Sequence, residues 1–142
     1  DAVKAAATLL GIGPVTASAV VATVGDFRQF KSGAQFGAWI GLTPRQHSSG
    51  GKNNLGGITK RGDTYLRTLL IHGARSVIEH AKDKPKWLEQ LLARRPMNVA
   101  VVALANKMAR TAWAIVAHGR TYQRDWKSTR PGSGGAAQAA AA

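Results

Sequence analysis

The sequence predicts a mainly α fold: a compact helical domain with an N-terminal helix-hairpin-helix and a long, Gly-rich, basic loop that carries Ser48 and Ser49. Three observations predict it. Apolar residues recur at helical spacing in two long stretches, one spanning 66–77 and one spanning 99–116. Glycine and proline punctuate the chain at Gly11-Ile12-Gly13-Pro14, Gly25, Pro85, Pro96 and Gly119. Between Gly41 and Gly62 the periodicity dissolves.

Taken in order, Ala2 to Leu10 reads as a helix closed by Gly11-Ile12-Gly13. Pro14 suits the first turn of a second helix, where the missing N–H has no intrahelical partner to lose, and that helix stops at Gly25. Ser32 caps a third helix that runs through Gln35 and Phe36 to Trp39. The stretch from Gly41 to Gly62 holds six glycines, Pro44 and no acid, and reads as a long loop or weak hairpin. Asp63 caps a strong helix whose apolar face is Leu66, Leu69, Leu70, Gly73 and Val77. Pro85 begins a short helix bearing Trp87, Leu88, Leu91 and Leu92. After Pro96, a long helix places Val99, Val102, Ala105, Ala109, Trp113 and Val116 on one stripe.

These elements make one helical domain over 1–126, with the helix-hairpin-helix at about 2–24, the serine loop at about 41–62 and a flexible Gly/Ser/Ala tail at 127–142. The 142 residues suit one core. The chain opens on Asp1 within a helical pattern, so it is expected to be a piece of a longer protein. The absence of cysteine excludes disulfides and thiolate metal sites and suits a reducing compartment.

Charge narrows the function. Twenty Lys and Arg against seven Asp and Glu give +13, with a pI near 11.2, so polyanions are the natural partners. No secretory signal and no apolar run long enough to span a bilayer are visible, which leaves nucleic acid rather than a membrane.

Four constellations bear on how nucleic acid is held. The turn around Gly11 and Gly13 lets backbone approach a phosphate, with the following helix start offering N–H groups and a positive dipole end; an ordinary tight turn between packed helices is the alternative. The loop Pro44-Arg45-Gln46-His47-Ser48-Ser49-Gly50-Gly51-Lys52 combines a serine with small neighbours and flanking bases, as attack on a phosphodiester requires. Spacing alone favours a solvated basic loop, and Gln46 and Asn53 exclude a Walker A reading. The third is Lys60, Arg61 and Arg67, crowded at a helix entrance where cations are disfavoured unless an anion is present; a solvated turn fits equally. The fourth is a basic strip of Arg94, Arg95, Lys107, Arg110, Arg120 and Arg124 with no acid between Glu89 and Asp125.

Other chemistry is thin. His47, His72, His80 and His118 lack metal-ligand spacing. Glu79 and Asp83 lie four apart on a predicted helix, but Lys82 and Lys84 beside them favour a solvated face. No carboxylate cluster suits a two-metal nuclease, so no metal site or cofactor is expected in this chain.

The ordered series Gly-Ile-Gly-Pro-Val-Thr-Ala, Gly-Asp-Phe-Arg-Gln-Phe, Gly-Leu-Thr-Pro-Arg-Gln-His-Ser-Ser-Gly-Gly-Lys and Gly-Gly-Ile-Thr-Lys-Arg-Gly-Asp-Thr-Tyr-Leu-Arg resembles one family over roughly residues 5 to 120. It is the C-terminal, serine-bearing transposase domain of the DEDD-type insertion-sequence transposases, the bridge-RNA-guided recombinases, to which some DNA invertases are related. The resemblance implies that Ser49, with Ser48 as the alternative, is a nucleophile that forms a covalent phosphoserine link to DNA. It also implies an N-terminal RNase H-like domain supplying acids and Mg2+ across subunits, hence a homo-oligomer. A structured guide RNA and a cytoplasmic, prokaryotic, nucleoid-associated setting follow from the same likeness.

Two readings result. In the first, Ser49 attacks DNA while Arg45 and Lys52 clamp the scissile phosphate, Gly11 and Gly13 position duplex or guide, and Lys60, Arg61 and Arg67 hold neighbouring backbone. This chain alone would then be inactive. In the second, the chain is a non-catalytic helix-hairpin-helix module that binds branched DNA or structured RNA.

Overall fold

The computed structural model describes residues 2–7, 9, 11–46, 55–58, 60 and 62–119, with backbone alone at 44–46 and 55–57. Its elements are α1 (Ala2–Ala7), α2 (Pro14–Val24), a short 3-10 turn (Phe27–Gln29), α3 (Gly33–Ile40), β1 (Pro44–Gln46), β2 (Leu55–Ile58), α4 (Thr64–His80), α5 (Lys86–Arg94) and α6 (Met97–His118). The fold is mainly helical, as the periodicity requires. The long stretch from Gly41 to Gly62 carries a two-stranded antiparallel ladder, pairing Pro44 with Ile58 and Gln46 with Leu55 across an irregular register. The 127–142 tail lies outside the described residues.

Local chemistry explains most helix ends. Asp63 accepts from the Leu66 N–H at 2.8 Å, and Ser32 accepts from the Gln35 N–H at 3.2 Å, satisfying amides that the first turn leaves without partners. Gln35 returns the favour by accepting from the Lys31 N–H at 2.6 Å. Pro14 starts α2, and Gly119 closes α6 in the left-handed region at φ 63. The first helix ends at Ala7, three residues short of the expected Leu10. There Leu9 already turns, its N–H donating to the Ala6 carbonyl.

α6 is the core of the molecule. α1, α3, α4, α5 and the 3-10 turn all pack on it, and α4 and α3 do so most extensively. Its buried residues are Ala100, Val101, Leu104, Ala105, Met108, Ala109, Ala112, Trp113 and Ile115. This corrects the expected stripe: Val99 is exposed, and Val102 and Val116 are only half buried. A helix apolar nearly all round gives the sequence no sharp period, and α4 decides which arc is covered. The same helix also corrects the statement that no apolar run could span a bilayer. At 22 residues, about 33 Å, α6 is long and apolar enough by length and composition. Half of that span is buried inside the fold, so its apolarity already has a use as a core helix.

Into this core α3 sends Phe36 and Ile40, and the following Leu42 is likewise fully buried. Each such side chain contributes on the order of 1.5–3 kcal/mol. α3 comes close because Gly33 and Gly37 face α6: a Cβ on Gly33 would lie 3.0 Å from Arg110 Cβ, and one on Gly37 would rest 3.5 Å from Asn106. Trp113 is buried and donates from Nε1 to the Phe27 carbonyl at 2.9 Å, tying the 3-10 turn to α6. The chain between α2 and α4 is therefore seated firmly before the ladder begins.

Candidate serine hairpin and nucleic-acid interface

The ladder of β1 and β2 leaves the body of the fold from the last turn of α3 and returns to the first turn of α4. Its outgoing end is fixed by Gly41, left-handed at φ 90, and by Asn106 of α6, whose Nδ2 donates to the Leu42 carbonyl at 3.1 Å. Its returning end is fixed at Lys60, whose N–H donates to the Gly41 carbonyl at 3.1 Å. Lys60 itself is left-handed at φ 57, the one non-glycine in that region among the described residues, and its side chain is exposed. Such a conformation costs about 1–2 kcal/mol for an L-residue, and tertiary contacts must hold it. Gly62 follows at φ 86, its backbone so close to the Trp39 carbonyl that any Cβ would collide with it.

Arg67 completes the seam. It stands one turn into α4, is only 8% exposed, and donates from Nη1 to the Ile40 carbonyl at 3.1 Å and from Nη2 to Thr64 Oγ1 at 3.4 Å. The guanidinium thus caps the carbonyl end of α3, where positive charge is favoured by the helix dipole. The expected role of Arg67 as a surface grip on backbone is replaced by this inward one. Its charge at the entrance of α4 is stabilised by α3 without needing an anion.

The glycine turn divides into two different residues. Gly11 is left-handed at φ 89 and packs inward: a Cβ there would lie 2.9 Å from Met108 Cε and 2.9 Å from Val77 Cγ2. Gly73 of α4 faces it, and a Cβ on Gly73 would collide with the Gly11 carbonyl. Gly13 has an ordinary extended backbone at φ −83 and nothing within 4 Å of its Cβ position. It caps α2 without a side-chain hydrogen bond and lies exposed beside Pro14 and Val15. The two positions are therefore a packing glycine and an open one.

Ser48, Ser49, Lys52 and Arg61 lie outside the described residues, as do His47, Arg120 and Arg124, and the side chain of Arg45 is not described. Residues 47–54, which contain both serines, connect β1 to β2. Glu79 and Asp83 do not share a helix, because α4 ends at His80. Among the described residues no group of three His, Cys, Asp or Glu could hold a metal ion. Trp87 and Trp113 both belong to helix packing, Trp113 buried and Trp87 half-buried under the Lys107 ammonium.

The family model described as "Transposase IS116/IS110/IS902 family" matches residues 3–90. The chain belongs to that transposase family. Its relatives include a "Probable family 20 transposase" of Pseudomonas aeruginosa, 59% identical over 117 residues, which are 80% of this chain and 35% of that protein. A "Transposase for insertion sequence element IS1111A" of Coxiella burnetii is 53% identical over 117 residues, covering 80% and 32% of the two chains. A "Transposase for insertion sequence element IS1328" of Yersinia enterocolitica is 41% identical over 121 residues, covering 82% and 36%. The chain thus spans about a third of the length of the curated relatives it matches.

Within this chain the family match takes in the glycine turn, the ladder and all of α4, while α6 lies beyond residue 90. The sequence reading missed Gly73 as the partner of Gly11 and Asn106 as the anchor of Leu42. The signal for Gly73 was present, a glycine on the apolar face of a strong helix, where it costs about 1 kcal/mol relative to alanine unless something must approach closely. Asn106 gave none, because its partner is 64 residues away.

Proposed function

We propose that this chain is the serine-bearing half of a DNA transposase or recombinase, in which Ser49 attacks a DNA phosphodiester. The observation that carries the reading is the anchoring of the two-stranded ladder on either side of residues 47–54. Gly41, Lys60, Gly62 and Arg67 tie the chain before β1 and after β2 to one seam between α3 and α4. A nucleophile carried between strands whose roots are anchored has fewer approaches to phosphorus than one in a loop free at both ends.

In the proposed step the Ser49 oxygen forms a bond to phosphorus and loses its proton. The bond from phosphorus to one deoxyribose oxygen breaks, and that oxygen leaves as a hydroxyl after taking up a proton. The phosphoserine ester retains the bond energy, so attack by another DNA hydroxyl rejoins the strand and releases the serine. Arg45 and Lys52 stabilise charge on the phosphoryl oxygens, and Lys60 and Arg61 hold adjoining backbone. Acids and Mg2+ would come from an N-terminal RNase H-like domain, across subunits of a homo-oligomer. A structured guide RNA would align the DNA, in a prokaryotic cytoplasm.

The second reading, a binding module for branched DNA or structured RNA, is favoured by one feature. Gly13 leaves open space at an α2 start that no side chain caps, where backbone N–H groups and the dipole suit a phosphate. The test is strand joining by the protein carrying its N-terminal domain, with magnesium, guide RNA and target DNA. Ser49→Ala should abolish joining and preserve binding. Joining undiminished in Ser49→Ala leaves the binding-module reading in its place.

A further inference from the structure

Two packing contacts leave one stretch of α6 uncovered between them. On one side α3 lies against α6 through Gly33, whose side-chain position is filled by Arg110 atoms at 3.0 Å. On the other, α5 reaches α6 through Trp87, with Lys107 Nζ held 4.4 Å from the ring centroid. Lys107 and Arg110 are three residues apart, so they share one helix face in the gap between α3 and α5. Both are exposed, and neither is paired with a carboxylate among the described residues. α6 contains no acid at all.

The two charges act on each other. Desolvation of the Lys107 ammonium, and then repulsion from Arg110, hold its pKa below the ordinary lysine value. The indole fixes that ammonium in place, so part of the ordering cost of a contact is already met. An anion lying across both groups would relieve the repulsion. This site is also distinct in position from the serine hairpin. Arg110 packs on the first residue of α3, whereas the hairpin departs after its last, about 12 Å along the helix.

We propose that Lys107 and Arg110 form a second nucleic-acid contact, gripping the phosphate backbone of a DNA duplex that crosses the gap between α3 and α5. Lys107 offers a point charge and both groups are on the surface, so the grip recognises backbone and not base sequence. A domain holding backbone at two separate places can bring two DNA segments together, which strand exchange requires. The contact stands whether or not Ser49 is the nucleophile.

The test is fluorescence anisotropy of mixed-sequence duplex DNA binding across a salt series. Each phosphate contact contributes about 0.9 to the slope of log affinity against log salt. Lys107→Gln and Arg110→Gln should each lower the slope by about 0.9, and the double variant by about 1.8. Arg28→Gln, whose charge is already paired with Asp26 at 3.5 Å, is the control and should change it least. A double variant no different from Arg28→Gln overturns the proposal, as does a loss seen with duplex RNA and not with DNA. Mass-spectrometric lysine acylation gives an independent readout: DNA should protect Lys107, and unchanged labelling contradicts the assignment.

Discussion

Arg67 donates to the carbonyl of Ile40 across 27 positions of sequence, from a site only 8% exposed. That one bond joins the end of α3 to the start of α4 at the root of the serine hairpin. Replacing Arg67 with Met leaves the Ile40 carbonyl and Thr64 without this partner, at a cost of about 1–3 kcal/mol. Urea unfolding checks the stability. Because the guanidinium points inward, the salt slope of DNA binding should stay at the wild-type value wherever the variant is folded. A slope lowered by about 0.9 would return Arg67 to the surface.

Gly11 and Gly13 should separate cleanly. Gly11→Ala forces a Cβ to 2.9 Å from both Met108 and Val77 at a left-handed backbone, so it should cost at least 1–2 kcal/mol and lower the melting temperature by several degrees. Gly13→Val meets open space at an ordinary φ and should melt close to wild type. If the α2 start holds a phosphate, the same valine weakens duplex binding. Equal stability loss in both variants would contradict the division.

Local signals made one part of the fold legible and tertiary contacts hid the rest. Asp63, Ser32 and Pro14 could be read because a cap acts within three residues of itself. The face of α4 could be read because Leu66, Leu70 and Val77 stand against polar neighbours. The face of α6 could not, since alanine and valine surround it. Nor could Trp113 with Phe27, 86 residues apart, or Asn106 with Leu42. Within the candidate site, charge and glycine drew attention to the segment in the sequence, but burial alone distinguishes the inward Arg67 from the exposed Lys60.

Lys60 carries strain and charge in one residue. Lys60→Gly relieves the left-handed backbone at φ 57, and after the extra chain entropy of glycine the fold should gain about 0.5–1 kcal/mol. The same change removes an exposed cation at the hairpin root, so DNA affinity should fall. Paired melting and anisotropy measurements check for these opposite signs. Affinity that rises with stability would remove Lys60 from the interface.

The pH dependence of Lys107 has a fixed sign. Its folded pKa is lowered, first by desolvation and then by Arg110, so the protonated form is disfavoured on folding. Between the folded value and the ordinary lysine value the unfolded chain binds more protons, and stability rises with pH across that window. Urea unfolding near pH 7.5 and near pH 10 should therefore show wild type gaining relative to Lys107→Gln at the higher pH. A gap that moves the other way contradicts the desolvated ammonium.

The most direct measurement is to trap the reaction and sequence the adduct. The protein carrying its N-terminal domain would be incubated with magnesium, guide RNA and labelled target DNA, then denatured and digested. Tandem mass spectrometry would locate any nucleotide esterified to the peptide. The account predicts a nucleotide on Ser49, absent in Ser49→Ala and retained in Ser48→Ala. DNA cleaved with no nucleotide on either serine would contradict it, and would make the hairpin a clamp for chemistry performed elsewhere.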